Sequence, residues 1–485
     1  MKIFGLSKEE IHEAVKNGQI TVAVYGLGSV GLPLAIAYAL AGCKVIGVDI
    51  DERKVQLVNS GENPLPHEPG LEKLSELVQH GRLTATTDLI MAAKKADVMS
   101  IIVPVGIDGY GDPDLANLIA VSRAIGAGLS KGDTVILEST VPPGTTEAIV
   151  SRILEKESGL KAGIDFALAF SPERVKAGTV LEDFFRNYPR IVGGVNLKST
   201  ETVAHFYEAI IKNRVIKVSN ARVAELAKLF KEVFRYINIA LADEYALLCE
   251  LLGVDVKEAI DAANTDPLAM IHRPGPGIGG HCIPIYPHFI SYIFKLNGQD
   301  FRLFRVANEI DKYMAKHVID TLFKALNEAC KPIKGSKIVI LGLTFRGNVK
   351  ITYKTPAKPI IEYLKRLGAT IVAHDPLLTV KEIIDEFDVQ AEKDLEHALR
   401  NADALILVTD HDAYKRLTLH NLISVMKKPA VVIDTRNIFP LHQISELKKE
   451  IIYRGIGRSQ QLFVKDPDIF EKYREIIRKK YKVRI

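Results

Sequence analysis

The stretch TVAVYGLGSVGLPLAIAYALAGCKVIGVDID, residues 21–51, decides the fold. The apolar run TVAVY leads into a glycine-rich turn, GLGSVG, and then into the helical run LPLAIAYALAGC. A second apolar run, KVIGVD, ends at Asp49. This is the β-α-β opening of a doubly wound, Rossmann-type domain. Gly26 permits the tight strand-to-helix turn. Gly28 lets a pyrophosphate approach the backbone, and Gly31 lets helix and strand pack closely. Ser29 and Val30 complete the turn, where phosphates meet the free N–H groups of a helix start. Asp49 is placed to accept hydrogen bonds from a ribose diol and to repel a 2′-phosphate, which favours NAD over NADP. Lys54, just beyond, is a further candidate cofactor contact. The alternative is a glycine turn in a Rossmann-like fold that binds nothing; the ordered strand, helix, strand and acid argue against it.

Working outward, strand-like runs alternate with helical patterns to about Val218, among them DVMSIIVPV, DTVILEST and DFALAFSP. Such alternation implies a parallel sheet covered on both faces. From Arg222 to Gly253 the chain then runs without proline, and without glycine until its end, with apolar residues at helical spacing. A second α/β alternation starts at KIVILGLTF and continues through ATIVAHDP, ADALILVTDHD and AVVIDTRN. The predicted fold class is α/β: two Rossmann-like, doubly wound domains joined by a long central helix and a helical connector. Residues 1–218 form the first domain, with a helical extension over 1–20. Residues 219–330 form a central helical domain, and 331–485 the second Rossmann-like domain.

The chain has 485 residues, 47% hydrophobic and 25% charged, the balance of a soluble globular protein. A net charge of +5 is mild and gives no argument for nucleic acid. No apolar run reaches the roughly 18–20 residues of a membrane span, and the polar N-terminus has no signal-peptide core. The four cysteines show no metal-ligand spacing, so no metal is expected. A reduced, cytoplasmic protein is expected. The basic tail EKYREIIRKKYKVRI reads as a solvated helix face.

Cys282 differs from the other cysteines. It lies in GPGIGGHCIP, where glycines and prolines shape a loop whose amides can face a ligand. Cys43 and Cys249 sit in apolar, helix-like surroundings. A thiolate nucleophile needs a positive neighbour or amide dipoles, and His281 or a lysine from elsewhere are candidates.

With these motifs in hand, the chain resembles the nucleotide-sugar 6-dehydrogenases, the family of UDP-glucose and GDP-mannose dehydrogenases. The resemblance runs from about Thr21 to Pro440. It is carried in order by GLGSVGLPLA, ESTVPPGTTE, SPERV, AELAKLFKEVFRYINIALADE, GPGIGGHCIP, LGLTFRGN and IDTRN. GPGIGGHC and SPERV are most similar to the branch acting on UDP-N-acetylhexosamines, typically UDP-N-acetylmannosamine. The resemblance implies that the first domain binds NAD, the last binds a UDP-sugar, and a C6 hydroxyl is oxidised twice to a uronate. Cys282 would hold the aldehyde as a thiohemiacetal and then carry the thioester. Lys228 would polarise or protonate at the sugar oxygen, with Thr140 and Glu173 near the water and the nicotinamide. Arg174, Val175, Lys228, Glu232, Arg235, Gly279, Phe345 and Arg346 would line the substrate site. Thr140 and Arg436 would contact NAD, Arg436 across a subunit boundary. Each has a plainer alternative: Glu138, Thr140 and Glu173 as caps at strand ends, Lys228 and Arg235 as a solvated helix face.

Several family positions are altered. Glu232 stands where the family has an asparagine, and Tyr286 where it has an aspartate. Leu268 stands for an arginine that Arg273 is placed to replace, Tyr353 for another arginine, and Val105 for a threonine. Lys228 and Glu232, one helical turn apart, are expected to pair. A lysine so paired keeps its proton more firmly, which works against proton transfer. Exchanging asparagine and aspartate for an acid and a phenol is expected to move negative charge from one side of the lysine to the other. These changes leave open a second reading, a non-catalytic relative that binds NAD. The long helix, finally, would expose an apolar stripe unless it meets a partner, so a homodimer or higher homo-oligomer is expected, with the helix at its interface.

Overall fold

The computed structural model describes residues 1–65, 71–173, 180–459 and 468–481. Compact packing divides the chain into two units. The first comprises Met1–Glu232 with Ile285–Asp300, the second Val233–Pro284 with Phe301–Ile485.

In the first unit the opening motif folds as expected, into the strand Thr21–Tyr25, the helix Gly31–Leu40 and the strand Lys44–Val48. The helix is buried along almost its whole length because its sequence is apolar all round. Among the described residues the sheet has eight strands. In order they are Val215–Lys217, Arg190–Gly194, Ala167–Phe170, Thr134–Leu137, Val98–Ile101, Thr21–Tyr25, Lys44–Val48 and Leu83–Thr86. All pairings are parallel except Ala167–Phe170 with Arg190–Gly194. Strands Val98–Ile101, Thr134–Leu137 and Ala167–Phe170 are buried throughout, in keeping with their predominantly apolar sequences. The order reverses between Thr21–Tyr25 and Val98–Ile101, the switch point where doubly wound sheets take their ligands. The N-terminal extension, Lys8–Lys16, is fixed by a Ser7–Glu10 capping box and buries Ile11, Ala14 and Val15 against the helix Leu197–Ile210.

A buried polar cluster ties this unit together. Arg190 bonds Glu138, the Tyr207 hydroxyl (3.0 Å) and Glu173 (2.6 Å). Glu138 also accepts from Ser100 (2.5 Å) and Tyr38 (3.1 Å). Glu138 is therefore no simple strand-end cap. Burial pushes its carboxyl up, and the Arg190 guanidinium opposes that rise.

The second unit repeats the plan. Its sheet runs Gln390–Ala391, Thr370–His374, Lys337–Leu341, Ala404–Leu407, Ala430–Asp434, Ile451–Gly455 and Arg458–Ser459, parallel but for the last pair. The first five strands follow the same order as in the first unit. The helix Arg302–Glu328 packs Met314, Val318 and Leu322 against this sheet and against Ala242, Ala246 and Cys249 of the long helix. The long helix itself spans Ala221–Leu252, 32 residues, and stops at Gly253 with φ +68°. Its residues to Glu232 belong to the first unit and the rest to the second.

Candidate active site

The nucleotide turn has the geometry its glycines predict. Gly26 has φ +102°, and a Cβ there would lie 2.4 Å from the Ile102 carbonyl oxygen. A Cβ on Gly31 would fall 1.8 Å from the Gly26 oxygen, so helix and turn touch at that point. A Cβ on Gly28, by contrast, would meet nothing within 4 Å. The chain thus leaves room over Gly28, and no side chain caps the helix that starts at Gly31. Both features suit a diphosphate seated on backbone amides. Asp49 accepts the Leu27 N–H (2.8 Å) and the Lys54 ammonium (2.8 Å). Burial works to raise this carboxyl, but the bonds from Lys54, Asp51 and Leu27 hold it below the usual carboxylate range. It stays an anion able to accept from a ribose diol. Gly26, Gly28, Ser29, Val30 and Gly31 thus form one turn, to which Asp49 is bonded through Leu27 and Lys54 through Asp49.

The matching turn of the second unit is closed differently. Asp375 accepts the Leu343 N–H at 2.7 Å, as Asp49 does for Leu27. Here buried His411 fills the place beside the acid, with Nε2 3.2 Å from Asp375 and 3.1 Å from Thr344 Oγ1. The Asn348 N–H donates to His411 Nδ1 (3.1 Å), which puts the ring proton on Nε2, toward Asp375.

Lys228 is buried, not a solvated helix residue. Its ammonium donates to the Glu173 carbonyl oxygen (2.7 Å) and lies 3.4 Å from Glu232 and 6.0 Å from the Tyr286 ring centre. The two altered positions, Glu232 and Tyr286, therefore both flank this lysine, and the expected Lys228–Glu232 pair is present. The Glu173 side chain is held by Arg190 at 2.6 Å. Thr140, also buried, follows the strand Thr134–Leu137. The turn after it is fastened to the long helix by Glu225. That carboxyl accepts the N–H groups of Gly144 (2.5 Å) and Thr146 (2.9 Å) and the Thr146 hydroxyl (2.7 Å). Glu225 stands three residues before Lys228, inside the quoted helix motif, yet nothing in its residue type marked it. Arg190 likewise gave no signal, because its partners come from strands and helices far apart in sequence.

In the second unit the thiol loop is held at three backbone N–H groups. Gly275 donates to Asp243 (2.8 Å), Ile278 to Asp311 (2.7 Å) and Gly280 to the Tyr353 carbonyl (3.0 Å). Burial raises the carboxyls of Asp243 and Asp311. Gly279 has no room for a Cβ, which would lie 2.6 Å from Phe345 Cβ. Phe345 carries the Arg346 guanidinium 5.8 Å from its ring centre, so Gly279, Phe345 and Arg346 form one group. Arg436 is half-buried, donates from Nε to the Val408 carbonyl (2.9 Å) and stands against Gly275. Cys282 is half-buried, Cys43 and Cys249 are buried and Cys330 is exposed. Cys43 lies in the turn between helix Gly31–Leu40 and strand Lys44–Val48 rather than on a helix, and burial pushes its thiol up to about 12.

His281 does not supply the thiol with a positive charge. Desolvation lowers its pKa from an already mid-range value, which disfavours the charged ring. Arg235 is half-buried, and its charge adds to the desolvation that lowers the pKa of the His272 ring. Leu268 is exposed, and Arg273 pairs with Asp261. Arg174 and Val175 lie outside the described residues. No group of three or more His, Cys, Asp or Glu suited to a metal occurs among the described residues, and no helix there is long and apolar enough to cross a membrane.

Comparison with known proteins converges on one family. The NAD binding domain of the UDP-glucose/GDP-mannose dehydrogenase family matches residues 20–211, its central domain 222–313 and its UDP binding domain 339–440. The chain belongs to this family. A UDP-N-acetyl-D-mannosamine dehydrogenase of Pyrococcus horikoshii is 37% identical over 438 residues, 90% of this chain and 99% of that protein. A solved structure of UDP-D-ManNAc dehydrogenase from the same organism superposes with a TM-score of 0.82 at 35% identity, covering 91% of this chain and all of the other. The NDP-N-acetyl-D-galactosaminuronic acid dehydrogenase of Methanosarcina mazei gives a TM-score of 0.79 at 31% identity, over 95% of this chain and all of the other. The cofactor is NAD.

Glu225 yields a pH prediction. Burial, named first, pushes its carboxyl from 4.5 up to about 7, with Glu147 adding to the rise; Arg222, on the same helix turn, is engaged by Glu147. The unfolded chain then releases this proton near pH 4.5 while the folded chain keeps it to about 7. The contribution is whole below pH 4.5 and is lost as pH rises to about 7, a change of about 3 kcal/mol at 1.36 kcal/mol per unit. Glu225→Gln should flatten this part of the stability profile, as measured by urea midpoints across pH 4.5–7.

Proposed function

We propose that this chain catalyses the NAD-dependent, four-electron oxidation of the C6 hydroxyl of a UDP-N-acetylhexosamine, UDP-N-acetylmannosamine foremost, to the uronate. The chain is an NAD-dependent UDP-sugar dehydrogenase. The observation that carries the finer reading is the thiol loop: Cys282 is half-buried at the end of a loop fixed at three N–H groups, while the chain's other thiols are either deep in the core or at a helix end. The N-acetylhexosamine preference draws on the named activities of the relatives.

The glycine turn and Asp49 would hold NAD, which would supply the hydride acceptor for the two oxidations. The remaining work falls to side chains. Cys282 adds to the C6 aldehyde, and the resulting thiohemiacetal keeps the substrate covalently held for its second oxidation. Water then releases the thioester as a carboxylate and restores the thiol. Lys228 supplies positive charge at the sugar oxygen, where negative charge develops. The Glu173 carbonyl and the Glu232 carboxylate fix its ammonium in place. Thr140 and Glu173 orient the water and the ring of the cofactor. Arg174, Val175, Arg235, Gly279, Phe345 and Arg346 line the sugar-nucleotide side, and Arg436 contacts NAD from a neighbouring subunit. The reaction takes place in the cytoplasm.

A nucleotide-sugar panel with NAD should give two NADH for each UDP-N-acetylmannosamine consumed, with an acid product, and Cys282→Ser should abolish turnover. NAD binding without turnover on any sugar would favour the second reading, for which the acid placed on Lys228 is the supporting observation. Glu232→Asn should lower kcat by about tenfold, the scale of one charge-assisted hydrogen bond; an unchanged kcat refutes the compensating role of Glu232. Phe230, Phe234, Leu241 and Leu248 are exposed along the long helix. We propose that a second copy covers them, so light scattering should report a dimer or a multiple of it.

A further inference from the structure

We propose that Tyr353 is a positioning residue for Cys282, holding the thiol through the three residues that precede it. The proposal rests on the reading of Cys282 as the nucleophile. Its basis is a single short segment that meets Gly279, Gly280 and His281 in turn. The Lys354 carbonyl stands 2.8 Å from where a Cβ of Gly279 would be. The Tyr353 carbonyl accepts the Gly280 N–H at 3.0 Å. The Tyr353 ring stacks on His281, with centres 4.3 Å apart and planes within 8°.

The segment is shaped for this task. Lys354 has φ +49°, the left-handed region that a lysine seldom enters. Such a bend persists only where the surroundings fix it, and it is common at functional sites. Here the Thr355 N–H returns to the Thr352 carbonyl (3.0 Å), and the Thr352 hydroxyl is anchored on Glu386 (2.8 Å). Gly280, at φ +95°, supplies the matching turn on the loop side. The Gly279–Gly280 peptide and the His281 ring, which lead directly into Cys282, are thus both held by this one segment. Covalent attack on a carbonyl carbon demands placement of this kind, since a shift of about 1 Å is costly in rate.

Tyr353 is 41% exposed, so removing its ring opens no cavity in a core. Positioning and folding are therefore separable. The experiment is site-resolved alkylation of the full chain by iodoacetamide, read by peptide mass spectrometry, with exposed Cys330 as the internal reference. In Tyr353→Ala the Cys282 rate should rise about fivefold as the loop is released, with Cys330 unchanged. Tyr353→Phe, which keeps the ring, should stay within about twofold of the parent. In turnover, Tyr353→Ala should lower kcat about tenfold with KM for NAD unchanged, and Tyr353→Phe should restore it. An unaltered Cys282 rate in Tyr353→Ala overturns the proposal, as does a Tyr353→Phe variant that behaves like Tyr353→Ala. Alkylation of buried Cys43 and Cys249 in Tyr353→Ala also overturns it, by showing a general structural role. If the parent forms no NADH from any nucleotide sugar, the catalytic reading fails, and the alkylation result still decides the role of Tyr353.

Discussion

Both α/β units depend on one interaction: a carboxylate at the end of the second strand accepts the N–H of the turn that follows the first. Asp49 takes the Leu27 N–H at 2.8 Å, and Asp375 takes the Leu343 N–H at 2.7 Å. The bond fixes the glycine turn against the sheet and directs the amides that follow it. The two units then diverge in what stands beside the acid. Lys54 keeps Asp49 an anion at the edge of an open turn. In the second unit buried His411 spends the acceptor capacity of Asp375 inside the protein. A shared architecture therefore gives one turn able to meet a ribose and one sealed by its own side chain, in keeping with the different ligands of the matching family domains.

Around the chemistry, fixed geometry comes from buried acids and carbonyls. Asp243 and Asp311 each receive an N–H of the thiol loop, and Glu225 receives two N–H groups and a hydroxyl of the turn after Thr140. A buried carboxyl is costly unless it is bonded. Such groups consequently hold loops in single conformations, which is what a nucleophile and a charged lysine require. Three of the family positions altered in this chain fall within these arrangements. Glu232 and Tyr286 both stand at Lys228, and Tyr353 stands at the thiol loop.

Much of this was legible in the residues. Short, mostly apolar runs such as VMSI and TVIL, set between helical patterns, indicated strands buried on both faces. GLGSVG between such a strand and an apolar helix, with Asp49 at the end of the next strand, specified both the turn and its cofactor. These signals are local: each depends on residues within about thirty positions, where spacing alone fixes what faces what. The pairing of Lys228 with Glu232 was legible for the same reason, being one turn of one helix.

Other features depended on residues distant in sequence. Arg190 joins Glu138, Glu173 and Tyr207 only because separate strands and a helix converge on it. His281, plausible as a cation beside a thiol, has its pKa lowered by desolvation, and its ring rests on Tyr353, seventy-two positions further on. The sequence by itself determined the two doubly wound units and the NAD turn, since periodicity and short motifs encode local geometry. Only the tertiary structure decided the direction in which the His281 pKa moves, the His411–Asp375 contact at the second turn and the contacts that hold Lys228 and the thiol loop. Desolvation and hydrogen bonding depend on groups that folding brings together from positions no local pattern links.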